Sequence, residues 1–450
     1  MANMNRRRFL KGAGVAAVTI AGTRVSGKVF GANERLNLAF IGVGGFGGHN
    51  LAIMAGKQNP IRGEYARQVA GARVAALCDV DLRQEGPRKP TAAQAFDEYP
   101  RAAQYHDYRR MLDEKDGEID AVVVSAPNHI HAPASVTAMR MGKHVYCEKP
   151  GAHSVYEARV MAEVAGEQGV VTQLGTHAHA TETFRRVVEL VRSGAIGEIE
   201  ACHIWLRSGT EATDRPRERP PVPSGLHWDL WLGPAPRRPY HPGYIPTQWH
   251  RWWDFGGGIQ LGNMGCHYVN LPFWALDLRH PSTIEAAGPE PHPESAPGRQ
   301  HVRYTFERGG DRSPLILTWT HGSEPPPVFA EHQLPAWAWA IFVGDGGMLL
   351  ASYDRHQLWP PEKFADYEPP EPSIPPSVGH RQEWINACRG EGQALCHFGY
   401  SMGVTETVLL GNVAFRSGRK LAWNARQFTI DNAHEAEGFL RRGYRPGWTL

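Results

Sequence analysis

The sequence predicts an α/β chain of two units, the first of them a doubly wound parallel sheet. Three observations carry that expectation. A glycine pattern, Gly42, Gly44 and Gly47, follows directly on the apolar run Leu36 to Ile41. Apolar runs of strand length then alternate with helical patterns as far as about residue 176. A length of 450 residues exceeds one ordinary core.

The elements follow in chain order. Asn5-Arg6-Arg7-Arg8-Phe9-Leu10-Lys11 precedes an uncharged, small and apolar stretch from Gly12 to Thr23. A basic segment followed by so short an apolar one reads as an export leader rather than a membrane span. The paired arginines before Phe-Leu-Lys resemble a twin-arginine signal, with Asn5 where Ser or Thr is usual. The expected leader is residues 1–32, and the mature chain is expected in the periplasm or at the cell surface with no membrane span.

Leu36 to Ile41 reads as a buried parallel strand. Gly42 allows the tight turn after it, Gly44 lets backbone approach a pyrophosphate, and Gly47 lets the next helix pack on the strand. Gly45 and Phe46 complete the loop, and the helix start offers free N–H groups and a positive dipole end. The run "ARVAALCDVD" is a second strand ending at Asp79. A carboxylate there accepts hydrogen bonds from a ribose diol and repels a 2′-phosphate, which selects NAD over NADP. The gap from Gly47 to Asp79 is longer than usual, and residues 55–68 supply the extra loop.

Ile119 to Ser125 is the next strand, with Ala126, Asn128, His129 and His131 at its carboxyl end, where such sheets bind ligands. His-Ile-His spacing without acidic partners is not a metal site, so these residues are expected to line a cleft. A helix is expected near Pro133 to Met141, then strand His144 to Cys147, which delivers Glu148, Lys149 and Pro150 to the same edge. Pro150 restricts the backbone of Lys149 to extended conformations. The amphipathic segment from Ser154 and the strand "VVTQLGT" then close the sheet, which bounds a dinucleotide domain at 33–176 and a second domain at 177–450.

Composition narrows the partners. A net charge of +2 gives no reason to expect nucleic acid or an anionic membrane. Six scattered cysteines without CxxC spacing argue against zinc and against a disulfide framework. Beyond residue 210 the chain is rich in Trp and Pro, and Tyr240, Arg251, Trp252, Trp253 and Asp254 crowd one segment. Aromatic faces stack on sugar C–H surfaces while charged groups bind hydroxyls, so this segment is a candidate substrate loop. His177 sits in another strand-to-helix loop and joins the candidates. Past residue 280, strand patterns such as "HVRYTFERG" precede two helices, the later ending at Gly418.

The glycine start, "CDVD", "APNHIHAP", "GKHVYCEKP" and "QLGTHAHATETFRRVVELVRSGAIGEI" together resemble the glucose–fructose oxidoreductase/inositol dehydrogenase (Gfo/Idh/MocA) family, in its exported subgroup. The resemblance implies a Rossmann domain plus an α/β domain with a large open, mostly antiparallel sheet, and a homo-oligomer. It also implies that Lys149 lies beside nicotinamide and substrate. In "GGGIQLGNMGCHYVNLPFW", His267 matches the family's catalytic histidine, and Asn263 stands where an acid is usual. On a helix, positions i and i+4 share a face, so Asn263 and His267 are expected in one cleft. Gly256 to Gly258 would let backbone approach the ligand there.

These residues suit oxidation of a secondary alcohol of a sugar or glycoside. His267 is the first choice for general base with Lys149 hydrogen-bonded to the developing alkoxide, and the reverse assignment follows closely. Glu148 is expected to position its neighbours. An exported enzyme must hold NAD tightly, because free cofactor is scarce outside the cytoplasm. It then either couples two substrates or oxidises a glycoside transiently, eliminates its aglycone and reduces the product, a glycosidase without net redox change. A non-catalytic cofactor-binding sensor would need neither Lys149 nor His267.

Overall fold

The computed structural model describes residues 35–57, 69–86, 89–310 and 312–450. The leader expected at residues 1–32 and most of the long loop after the first helix lie outside them. β1 (Leu36–Ile41), β2 (Ala72–Cys78), β3 (Ala103–Tyr105), β4 (Ala121–Val124), β5 (His144–Cys147) and β6 (Thr172–Leu174) form a parallel sheet in the order β3-β2-β1-β4-β5-β6. This doubly wound order reverses between β1 and β4 and opens a crevice at their carboxyl ends. Alternation along β1 explains why both faces are covered. Leu36, Leu38 and Phe40 pack on one side with Trp384 and Ile385, whereas Ala39 and Ile41 pack on the other with Met111 and Met139. The first face is thus covered partly by a helix, His380–Cys388, that comes from more than 200 residues after β6.

The glycine-loop helix runs Phe46–Met54. A Cβ on Gly47 would sit 2.1 Å from the Gly42 carbonyl oxygen, so helix and strand meet there without room for any side chain. The helix expected near Pro133 to Met141 begins earlier, at Asn128, with Pro127 as its cap residue and Pro133 inside it. Pro133 lacks the N–H that would bond the His129 carbonyl, and that carbonyl accepts from Arg442 Nη2 instead, at 2.7 Å. The segment from Ser154 forms helix Val155–Gln168, closed by a reciprocal Ser154–Glu157 capping box. Strand β3 and the helices Ala92–Glu98 and Tyr108–Glu114 were not anticipated, being short and weakly patterned.

The second sheet has nine strands: β7 (Ile199–Leu206), β8 (Thr283–Ala287), β9 (Gln300–Phe306), β10 (Leu315–His321), β11 (Ala340–Gly344), β12 (Gly347–Ala351), β13 (His356–Trp359), β14 (Leu421–Asn424) and β15 (Thr429–Ile430). Their order is β13-β12-β11-β7-β10-β9-β8-β14-β15. Only the β7–β10 pair is parallel. The inward residues of the sheet, among them Ile204, Val302, Tyr304 and Trp319, pack beneath helices Leu261–Leu276 and Phe398–Ser417. The stretch "AIFVGDGGMLLAS" is a hairpin, β11 to β12, turning through the glycine pair Gly346-Gly347. All six cysteines are buried free thiols. Among the described residues no helix is long and apolar enough to cross a membrane.

Candidate active site

A cleft of about 630 Å³ runs along the carboxyl edge of the parallel sheet and across to helix Leu261–Leu276. One end is built from Gly42, Gly44, Gly45, Phe46, Gly47 and Asp79, and the other from Lys149, Asn263 and His267. Ala126, Asn128, His131, Glu148 and His177 line it between them.

At the first end, Asp79 organises the glycine loop. Its carboxylate accepts from the N–H groups of Val43 (2.8 Å), Gly44 (3.2 Å) and Asp81 (3.0 Å). Burial holds this carboxyl above its usual range, against the pull of those three donors. Gly42, at φ 82°, would push a Cβ to 2.7 Å from the Ser125 carbonyl oxygen. Gly44 has no such neighbour, since its Cβ would meet no described protein atom closer than 3.5 Å. The space beside Gly44 is therefore reserved for a ligand rather than consumed by packing.

Glu148 is fixed from below. Asn50 Nδ2 donates to Glu148 Oε1 at 2.9 Å and to Ser125 Oγ at 3.0 Å. Asn50 Oδ1 in turn accepts from Arg381 Nε and Nη2 at 2.8 and 2.7 Å, which sets the amide's orientation. Burial raises the Glu148 carboxyl above its usual range, and Asn50, Arg381 and Lys149 oppose that. Its Oε2 is buried with no hydrogen-bond partner among the described residues, and so is Nδ1 of His131. Two orphaned polar atoms in the wall of a cleft of this size fit a large polar ligand. The glycine loop, Asp79 and these atoms fit a nicotinamide dinucleotide.

At the second end, Lys149 Nζ donates to Asn263 Oδ1 at 3.0 Å. His267, one turn on, lines the same wall, as i and i+4 positions must. Burial first, then the neighbouring Lys149 and His380, hold its imidazole well below the usual range, so the ring is neutral at pH 7. His177 Nε2 lies 2.9 Å from Tyr146 Oη and 3.7 Å from Glu148 Oε1, and burial keeps it neutral too.

The substrate-loop expectation is corrected. Tyr240, Arg251, Trp252, Trp253 and Asp254 do not line the cleft. Tyr240 and Trp252 belong to a separate aromatic core with Trp228, Trp231 and Phe255. Trp253 donates its indole N–H to the His292 carbonyl, and Asp254 pairs with Arg215 and Arg238. A chain this rich in aromatics and prolines needs a core of its own, and these side chains build it. Gly256 to Gly258 also lie off the cleft. A Cβ on Gly256 would strike the His250 backbone at 2.5 Å, and the Gly256 carbonyl accepts from Asn128. His129 lies beneath the site, bonded to the Trp231 carbonyl.

Of the aromatic segment expected to line the pocket, Trp249 and His250, stacked at 3.6 Å, do reach the cleft, with no sequence signal separating them from Trp252 or Trp253. Sequence reasoning missed other members of the wall, among them Met264, Tyr353 and Trp448. Tyr353 and Trp448 carry no local motif.

Comparison with known proteins follows the two-part architecture. Residues 36–176 match the model described as "Oxidoreductase family, NAD-binding Rossmann fold", and residues 204–321 match the same family's "C-terminal alpha/beta domain". Inositol 2-dehydrogenase of Salmonella typhimurium is 27% identical over 165 residues, 36% of this chain and 43% of that protein. A glycosyl hydrolase family 109 protein of Shewanella pealeana is 27% identical over 235 residues, 45% of this chain and 46% of that protein. The chain thus spans less than half the length of these curated relatives. The WlbA dehydrogenase of Bordetella pertussis, solved with NADH and UDP-GlcNAcA, superposes with a TM-score of 0.58 at 17% identity, over 87% of this chain and 99% of that one. That likeness is one of fold.

Proposed function

Because the chain belongs to the Gfo/Idh/MocA oxidoreductase family, both of whose domains it matches in order, we propose that it is an NAD-dependent oxidoreductase acting on a secondary hydroxyl of a sugar or glycoside. The observation that carries this reading is the Lys149–Asn263 hydrogen bond beside His267, at the far end of a cleft that begins at a glycine loop. NAD, when bound, accepts the hydride. Gly42, Gly44, Gly45, Phe46 and Gly47 would cradle its pyrophosphate and Asp79 its ribose, which favours NAD over NADP. Glu148 and His131 line the cleft beside it.

In this reading the proton of the substrate hydroxyl goes to Lys149 Nζ, which must enter the step as the neutral amine, since an ammonium only donates. His267 is held so far below its usual range that it is a poor acceptor at neutral pH, and a neutral imidazole serves better to orient the hydroxyl by hydrogen bonding. Asn263 holds Nζ in place through its carbonyl oxygen without the negative charge that would lock the ammonium form. Asn263→Asp is therefore expected to move the acid limb of the kcat/KM profile up by about 1–2 pH units, as an opposite charge in contact does. An unmoved or acid-shifted limb would overturn the assignment of Lys149 as acceptor.

The same cleft supports a second reading, favoured by the likeness to the family 109 glycosyl hydrolase: transient oxidation of a glycoside with release of its aglycone and no net redox change. Both readings suit a tightly held cofactor and export through the leader at 1–32, and the open nine-stranded sheet suits a homo-oligomer. Purified protein challenged with sugars and glycosides, followed at the reduced-nicotinamide absorbance, separates them. Lasting reduction with an oxidised sugar supports the oxidoreductase, and aglycone release without an acceptor supports the glycosidase. No response to any sugar, in parent and Lys149→Ala alike, removes both.

A further inference from the structure

Residues 441–450 cross the parallel-sheet domain as a strap, and its anchors are specific. Arg442 Nε donates to Glu157 Oε1 at 2.7 Å and Arg442 Nη2 to the His129 carbonyl at 2.7 Å. Tyr444 Oη donates to the same Glu157 oxygen at 2.6 Å. Arg445 Nη1 pairs with Asp229 at 2.5 Å and its Nε bonds the Gly233 carbonyl. Arg140 Nη1 donates to the Leu450 carbonyl at 2.9 Å. The strap therefore ties together helices Asn128–Arg140, Val155–Gln168 and Trp228–Leu232.

Its one residue in the cleft is Trp448. The guanidinium of Arg109 lies 4.1 Å from the centre of the Trp448 ring system and donates to the Gly447 carbonyl at 3.0 Å. Arg109 is itself held by Asp107, through Nε at 2.9 Å and Nη2 at 2.6 Å. Tyr108, also in the cleft wall, packs 6.1 Å from the indole. These residues sit at the Asp79 end, because Asp79 N bonds the Tyr105 carbonyl and His106 Nδ1 contacts the Asp79 carbonyl.

The geometry points to the 441–450 strap as a cofactor-retention device, in which Trp448 closes the adenosine end of the dinucleotide cleft and release requires the Arg109–Trp448 contact to open. This rests on the dinucleotide-binding reading above and adds the means by which an exported protein keeps its cofactor. Dissociation is then limited by detachment of the strap, so weakening an anchor remote from the cleft speeds release as surely as removing the indole.

The test measures release of bound NAD from purified holoprotein after dilution, together with the melting temperature of the stripped protein. Trp448→Ala is expected to speed release by about tenfold or more and lower the occupancy found on purification. Trp448→Phe is expected to restore slow release. Asp229→Ala, whose carboxylate is largely exposed, should also speed release without lowering the melting temperature of stripped protein. If Trp448→Ala does not fold, Asp229→Ala decides alone. Release at the parent's rate in the folded variants overturns the strap while leaving the dinucleotide reading intact. A parent that binds no dinucleotide overturns both.

Discussion

Lys149→Met should lower kcat/KM by about 10³-fold while leaving NAD binding within a few-fold of the parent, since general acid–base groups contribute about 10² to 10⁴. Methionine preserves the length and apolar stem of the side chain but leaves Asn263 Oδ1 without its donor. Lys149→Arg is the sharper variant. A guanidinium keeps the positive charge and can hydrogen-bond an alkoxide, but it does not give up its proton in a protein. If Lys149 accepts the substrate proton, the arginine variant is as impaired as the methionine one. If it recovers to within about tenfold of the parent, charge alone is needed and His267 is the base. Steady-state rates with cofactor binding followed by fluorescence separate these outcomes, because a fault in nucleotide binding appears in the second measurement.

The folded protein is expected to lose stability steeply as pH falls from about 6.5 to 5. His129, His131, His177, His179 and His380 are each no more than 5% exposed. Burial pulls His129 and His380 down to about 3 and His131 to about 4, and holds His177 and His179 well below the usual range. Each is therefore neutral in the fold over this window, yet takes up a proton in the unfolded chain below about pH 6.5. The unfolded state binds more protons, so stability rises with pH through the window and falls as acid is added. One such histidine costs about 1.4 kcal/mol per pH unit below the unfolded-state value. Five approach about 7 kcal/mol per unit, comparable with the whole stability of a domain. Glu148 and Asp79 act in the opposite sense, because their raised values favour proton uptake by the fold, but they are two groups against five. Urea midpoints at pH 7.5, 6.5 and 5.5 check this. A flat response would mean that the rings protonate within the fold.

The substrate loop marks the limit of sequence reasoning. Residues 240 to 254 carry the side chains that bind sugars, but those same side chains also build small cores, and composition does not say which way a ring faces. Burial decided it. Trp252 and Tyr240 close an aromatic core, and Arg215, Arg238, Asp254 and Glu294 satisfy one another's charges. Trp249 and His250, from the same stretch, reach the cleft. Likewise nothing local marks Arg381, which orients Asn50 and through it Glu148 from 331 positions away.

What the sequence determined by itself is whatever short-range chemistry enforces. Strand–glycine-turn–helix units select their own geometry because only glycine fits at Gly42 and Gly47. A helix places Asn263 and His267 on one face wherever it packs, and a strand end carries Lys149 to the carboxyl edge of its sheet. The tertiary structure alone decided which aromatics face ligand, that the strap brings Trp448 over the Asp79 end, and that Asn263 meets Lys149. Those contacts join residues 114 or more positions apart, and their existence depends on how two sheets and their covering helices share one buried surface rather than on any local pattern.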